Sequence, residues 1–337
     1  MKKGIALPVI GVVILALGLV WWYTVGQPAS HVVVVYVSED QEFSEPILRA
    51  FEKETGITVS AFYDTEETSS TGAVNRLIVE KDNPQADVYW ASEPIRAELL
   101  KQQGITAPYD SPNAKDIPAM FKDPEGHWTG FSARGRIFIV NQNVKERPTT
   151  ILAYTDPRYK GKGVFANPLF GTATAEVAAL FTIWGDARAK AFLENLKKNE
   201  IKLSASNGES ADFVASGEFD FSLVDSDDAV NRIREEKPVM IIYPDQGKTE
   251  VGCMLLPNAA MLIAGAPHPN AGMALLDYLL SKETERKLAL AACAQIPLHP
   301  GVIPPRELIS VETMKVMNVN YAEVAKKMQE IQPFLRD

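Results

Sequence analysis

The chain has 337 residues, 46% of them hydrophobic and 23% charged, enough apolar matter for two domains with cores of their own and too much for a disordered chain. A formal net charge of −9, with cations paired only in short runs such as Lys197-Lys198 and Lys326-Lys327, excludes a nucleic-acid-binding surface, which needs clustered Lys and Arg. Two cysteines far apart, with no C-x-x-C, exclude a thiolate metal centre; in an oxidising compartment Cys253 and Cys293 are expected to pair, with two buried thiols as the alternative.

In chain order, Lys2-Lys3 precede an uncharged stretch over residues 4–26 that ends in Trp21-Trp22-Tyr23. That length approaches the ~20 apolar residues needed to span a bilayer rather than the shorter core of a signal peptide, and aromatic residues suit a membrane interface. Residues 1–30 are therefore read as a signal peptide or, preferably, an uncleaved anchor, an N-terminal hydrophobic helix that leaves the rest of the chain outside the cytoplasm. The run VVVVYV (32–37) has the continuous β-branched character of a strand buried on both faces. A helix with Phe43, Ile47 and Phe51 on one face follows and stops at Gly56. Strand 57–63, helix 71–81, strand 86–92 and helix 94–104 complete a βαβαβα series. A second series opens with strand 135–141 and continues through strand 163–168, helices 174–185 and 187–198, strand 219–225 and a helix at 228–236. Strand 252–265, one long helix over 270–291 and a polar C-terminal helix close it. The expectation is α/β, two lobes with a mostly parallel sheet in each and several short crossings.

In such sheets ligands bind beyond the carboxyl ends of the strands, where helix N-termini converge. Those ends bring together Ser38, Glu39 and Asp40; Ser92 and Glu93; Gly171, Thr172, Ala173 and Thr174; Asn207 beside a Ser206/Glu209 capping box; and Asp225, Ser226, Asp227 and Asp228. The Gly171–Thr174 turn offers backbone N–H groups to an anion. Asp40, Glu93, Asp227 and Asp228 offer only oxygens, and carboxylates about 4 Å apart repel by roughly 4 kcal/mol at an effective dielectric of 20. Their convergence calls for a cation, for hydroxyls or for protonation. Each has a plainer reading: Asp40 and Glu93 at helix starts, and Ser226 or Asp227 as the N-cap of helix 228–236. His127, His268 and His299 lie in turn-like contexts and read as structural.

The segments VVVVYVSEDQEF, AFEKETGITV, ADVYWASE, GEFDFSLVDSDD, LPNAAMLIAGAPHPNAG and AQIPLHPG, in that order over residues 32–330, resemble the extracellular solute-binding proteins of ABC importers, nearest to their ferric-iron-binding, transferrin-like subgroup. The resemblance implies a two-lobed periplasmic-binding-protein fold of type II with a ligand cleft between the lobes. It divides the chain into 31–134 plus 251–302 and 135–250 plus 303–337. It also implies a protein that closes over a small ligand and delivers it to a membrane permease with its ATPase; the chain is expected to be a monomer, held at the membrane through the N-terminal segment read above. In that subgroup Glu93 matches a carboxylate iron ligand, Asn207 and Gly171-Thr172-Ala173 match positions that hold a synergistic anion, and Arg134 and Arg136 match a basic pair near it. The subgroup's histidine ligand falls on Asp40, and its tyrosine pair on Asp227-Asp228. Carboxylates in place of phenolates suit Fe³⁺ or another hard cation with a bound anion, and equally an organic ligand: a sugar phosphate, a phosphonate, a polyamine or other amine.

An enzyme is not expected: G-x-S-x-G, H-E-x-x-H, P-loop and G-x-G-x-x-G motifs do not occur. The SLVDSDD run imitates the D-x-D of metal-dependent glycosyltransferases but stands two-thirds along the chain. A ligand-sensing ectodomain would share the fold.

Overall fold

The computed structural model describes residues 31–64 and 71–336, so the expected N-terminal signal or anchor lies outside them. Among the described residues no helix is long and apolar enough to cross a membrane. The first series forms as its periodicity dictates: strand β1 (Val32–Val37), helix α1 (Gln41–Thr55), β2 (Thr58–Tyr63), α2 (Thr71–Val79), β3 (Val88–Ala91), α3 (Pro94–Gln102) and the short β4 (Thr106–Ala107). Strand β5 (Thr129–Asn141) runs to thirteen residues. Beyond it come β6 (Gly163–Ala166), α4 (Gly171–Trp184), α5 (Asp186–Lys198), β7 (Lys202–Ser204), α6 (Asn207–Ala215), β8 (Phe221–Asp225), α7 (Ser226–Arg234), β9 (Val239–Ile242) and β10 (Leu255–Ile263). Helices α8 (Pro269–Leu279), α9 (Lys282–Leu290) and α10 (Tyr321–Arg336) complete the chain.

The strands lie in the order β2-β1-β3-β10-β5-β8-β6-β7, with β4 on β10 and β9 on β5. Pairings β1–β2, β1–β3, β6–β7 and β6–β8 are parallel, whereas β10 and β5 run antiparallel to their neighbours. The molecule is two-lobed, and β5 belongs to both lobes. Thr129 to Gly135 pair with β10, and from Arg136 onward the strand pairs with β8 and β9. Sequence alone shows only residues 135–141 as strand, because Gly130, Ser132, Arg134 and Gly135 break the apolar pattern. Register then fixes how the lobes face each other. Ala91, at the end of β3, lies opposite Ala259 of β10, Leu255 of β10 opposite Gly135, and Asp225, at the end of β8, opposite Arg136. The carboxyl ends of the parallel strands in both lobes therefore point toward the crossing at Gly135.

A bulge sits just before that crossing. The β10–β5 register shifts between Pro257 and Asn258, leaving Ser132 extra at φ +42°, a conformation that non-glycine residues rarely adopt. A second segment crosses beside it: Cys253 bridges to Val316, its thiol donates to the Arg136 carbonyl, and Gly252, at φ +92°, lies where an added Cβ would meet the backbone of residues 315–317 at 2.8–2.9 Å. Helix α10 packs on both α4 and α3, one from each lobe.

The helix expected over 270–291 is two helices. Ser281 interrupts it, its hydroxyl accepting from the Thr284 N–H to start α9. The expected disulfide is also corrected: Cys253 and Cys293 are both free and buried, and burial pushes both thiols well above the ordinary thiol range. The three histidines are engaged structurally. His299 lies between Glu285 and the Asn113 carbonyl, His268 on Asp87 and His127 on Thr106.

Candidate functional site

Three helices begin at the carboxyl ends of the second lobe's parallel strands: α4 after β6, α6 after β7 and α7 after β8. At their meeting point stands Arg136, 1% exposed. Its Nη1 donates to Asp225 Oδ1 at 2.8 Å, Asn207 Oδ1 at 3.0 Å and Thr172 Oγ1 at 3.2 Å. Thr172 donates to Asp225 Oδ2 at 2.8 Å, and Asn207 Nδ2 donates to Thr172 Oγ1 at 2.8 Å. Burial works against the Asp225 charge, but Arg136 and Arg134, with the hydrogen bonds from Arg136 and Thr172, outweigh it and hold the carboxyl below its ordinary range. Asn207, Thr172, Asp225 and Arg136, all named in the sequence analysis, form one hydrogen-bonded network, buried except at Asn207.

The N-cap of α7 is Asp225, not Ser226 or Asp227, and its side chain makes no capping bond because both oxygens face Arg136, Thr172 and Asn207. Ser226 instead accepts from the Gly135 N–H at 3.1 Å, fastening the α7 start to the crossing. Asp225, Asp227 and Asp228 present carboxylate oxygens within 4.8 Å of one another. Burial raises Asp228 well above the ordinary carboxyl range and the charges of Asp227 and Asp225 push it further, against Arg232 and Arg136. A proton on Asp228 relieves the repulsion within the cluster, as a cation would.

Arg134 links this network to the other lobe. Its Nη2 donates to the Ser92 carbonyl at 3.0 Å, while Nη1 lies 3.9 Å from Asp225 Oδ2. Beside Ser92, Glu93 is the N-cap of α3 and accepts from the Ile95 and Arg96 N–H groups. Burial nonetheless raises it, against Arg96, the two backbone bonds and Arg134. The remaining first-lobe residues differ. Asp40 heads α1 without a side-chain capping bond and is exposed, whereas Ser38 is fully buried with its hydroxyl 2.8 Å from the Tyr89 hydroxyl.

At the start of α4, Gly171 has φ +58° with open space where a Cβ would lie, and no side chain caps the helix. The N–H groups of residues 171–173, at the positive end of a fourteen-residue helix, thus have no capping side chain. Phe170, 59% exposed, stands next to them.

Two further acids lie in the region: Glu39, named in the sequence only as a strand-end residue, and Glu176, which the sequence reading missed. Glu39 is 6% exposed at the end of β1. Glu176 is 2% exposed in α4, with Oε2 3.9 Å from Arg136 Nε. Glu176 had a signal: it is the one charge in an otherwise uncharged helix.

Residues 84–327 match the model of a family described as bacterial extracellular solute-binding protein. Over 299 residues, 86% of each chain, the protein is 27% identical to a putative 2-aminoethylphosphonate-binding periplasmic protein of Salmonella typhimurium. It is 24% identical to iron uptake protein A2 of Synechocystis over 253 residues, 70% of this chain and 71% of that one. The solved structure of a Bordetella ferric binding protein superposes with a TM-score of 0.78 over 90% of this chain and 98% of its own, at 24% identity, a likeness of fold.

Proposed function

Because the chain belongs to the bacterial extracellular solute-binding protein family, we propose that it is the capture component of an ABC importer whose ligand is a small molecule carrying both a cationic and an anionic group. The observation that carries this reading is the pairing of opposite environments, joined by the hydrogen bond from Thr172 of α4 to Asp225. Asp225, Asp227 and Asp228 crowd carboxylates within 4.8 Å, and the uncapped start of α4 offers N–H groups and a positive helix end. An ammonium relieves the first and a phosphonate or phosphate answers the second. The Salmonella relative, whose name carries an aminoalkyl phosphonate, lends support. Arg136, held by Asp225, Asn207 and Thr172, serves as the fixed frame; Glu93 and Arg134 line the first-lobe side, with Ser38 and Asp40 at the end of β1. A specific observation favours a second reading. Three carboxylates in one cluster also suit a hard cation such as Fe³⁺ with a bound anion at α4.

In this reading the lobes comprise 31–134 plus 251–302 and 135–250 plus 303–337, and they close about the crossing at Gly135. A permease and its ATPase receive the ligand, residues 1–30 direct or anchor the chain outside the cytoplasm, and no reaction is catalysed. The test is native mass spectrometry and calorimetry on the desalted protein with 2-aminoethylphosphonate, ethylphosphonate and ferric citrate as probes. Binding of 2-aminoethylphosphonate but not ethylphosphonate is the expected result. Binding of iron alone would replace the first reading with the second, and binding of none would refute both.

A further inference from the structure

Arg136 uses its guanidinium unevenly. Nη1 serves Asp225, Asn207 and Thr172, and Nη2 reaches the Leu223 carbonyl at 3.4 Å. The single N–H of Nε donates to no acceptor. Facing it at 3.9 Å is Glu176 Oε2, which accepts no hydrogen bond either. A donor and an acceptor of opposite charge thus stand roughly 1 Å beyond bonding distance, on side chains only 1% and 3% exposed. Buried polar atoms are rarely left unpaired, so this facing pair calls for a functional account.

Helix α4 holds the two groups opposite each other. Thr172 and Glu176, four residues apart, lie on one face of it. Thr172 accepts from Nη1 and donates to Asp225 Oδ2, which pins that face against the guanidinium. The charges acting on Glu176 are those of Arg136 on β5, Asp245 after β9 and Asp225 on β8. Tyr154, before β6, and Cys253, before β10, feel its charge in turn. Helices α5 and α10 also pack on α4, and there Lys327 of α10 is engaged with Asp186 of α5 and with Glu330. One cation therefore stands between two acids that it can serve, and in this structure it serves Asp225. Burial, against the pull of Arg136, leaves Glu176 able to hold a proton near neutral pH.

The cation-bearing ligand argued above changes this balance, because the cluster that receives its cation includes Asp225. Both Asp225 oxygens are already taken by Arg136, Thr172 and Asn207. Resting on that reading, we propose that Glu176 is a positioning residue for binding: when the ligand's cationic group draws on Asp225, Arg136 turns Nε onto Glu176 Oε2 and keeps a buried counter-ion. Asp225 is freed toward the ligand without leaving Arg136 unpaired. A proton bound to Glu176 passes to solvent as the new ion pair forms, so capture of the ligand releases a proton.

The experiment is calorimetry on the full chain from about pH 5 to about pH 8, in buffers of different ionisation enthalpy, alongside thermal melting without ligand. The probe is whichever of 2-aminoethylphosphonate and ferric citrate the unmodified protein binds. Glu176→Gln keeps the shape and removes the charge, and its ratio to the unmodified protein cancels the titration of the probe and of the other acids. At about pH 8, where Glu176 is ionised, the variant should bind about tenfold more weakly, the effect of losing one charge-assisted hydrogen bond. At about pH 5, where a proton makes Glu176 as neutral as glutamine, the two should bind alike. Near pH 7 the unmodified protein should release up to about half a proton more per ligand bound than the variant does. An affinity ratio that does not change with pH, or equal proton release, would overturn this proposal and leave the proposed function standing. A lower unliganded melting temperature in Glu176→Gln would overturn it too, by showing a packing role. No binding of either probe by the unmodified protein would refute the functional reading and this proposal with it.

Discussion

Arg136 is the residue on which the second-lobe site is assembled, and its surroundings contain more negative charge than it neutralises. Asp225 takes its Nη1 at 2.8 Å, while Glu176 is 3.9 Å from Nε and too far for a hydrogen bond. Burial lifts Glu176 from the usual 4.5 to about 7 against the pull of Arg136, and Asp245 and Asp225 add to the rise. A carboxyl whose folded value is raised binds its proton more tightly when folded, so its contribution to stability is complete below pH 4.5 and is lost as pH rises toward about 7. Glu176→Gln should therefore gain stability relative to the unmodified protein across that window and match it at the acid end. Urea titrations at stepped pH would show it, and a constant difference would refute it. Part of this site was legible because strand ends followed by polar turns mark ligand edges. The sequence was silent on Asp225 serving Arg136 instead of capping α7, because which of two equally close polar partners a carboxylate takes is decided by tertiary packing.

At the scale of elements, the first lobe's strands and helices follow their periodicities within a few residues, whereas β5 is twice as long as its apolar run. Its first half is held by pairing to β10, by the Ser132 N–H bond to Glu285 and by Asn258, all more than a hundred residues away. Propensity carries no trace of such partners. The split between α8 and α9 was readable in principle from Ser281 followed by Thr284 and Glu285, a capping pattern masked by the apolar stripe on either side. The crossing region has its own test in Gly252. Its φ of +92° and the 2.8 Å approach of residue 315 and 316 backbone atoms forbid a side chain. Gly252→Ala should cost on the order of 1–3 kcal/mol or more through backbone strain, measured by urea denaturation. A cost near zero would mean that residues 315–317 yield easily.

For the whole molecule, the sheet order sets a constraint that no single element shows. Strand β10 lies between β3 and β5 in the first lobe, and α10 packs on a helix of each lobe. A fragment ending at residue 250 contains β1 to β9 but lacks the strand that joins β3 to β5. Its first lobe should give no cooperative urea transition, and slow amide exchange in β1 to β3 of the fragment would show that the first lobe closes without β10. The same order governs timing during synthesis. The lobe begun first at β1 cannot complete its sheet until residues 255–263 have left the ribosome, so its nascent segment spends the longest interval unfinished. For a protein proposed to leave the cytoplasm, that delay keeps the chain in the loose, threadable state that translocation requires, built into the connectivity of one central strand.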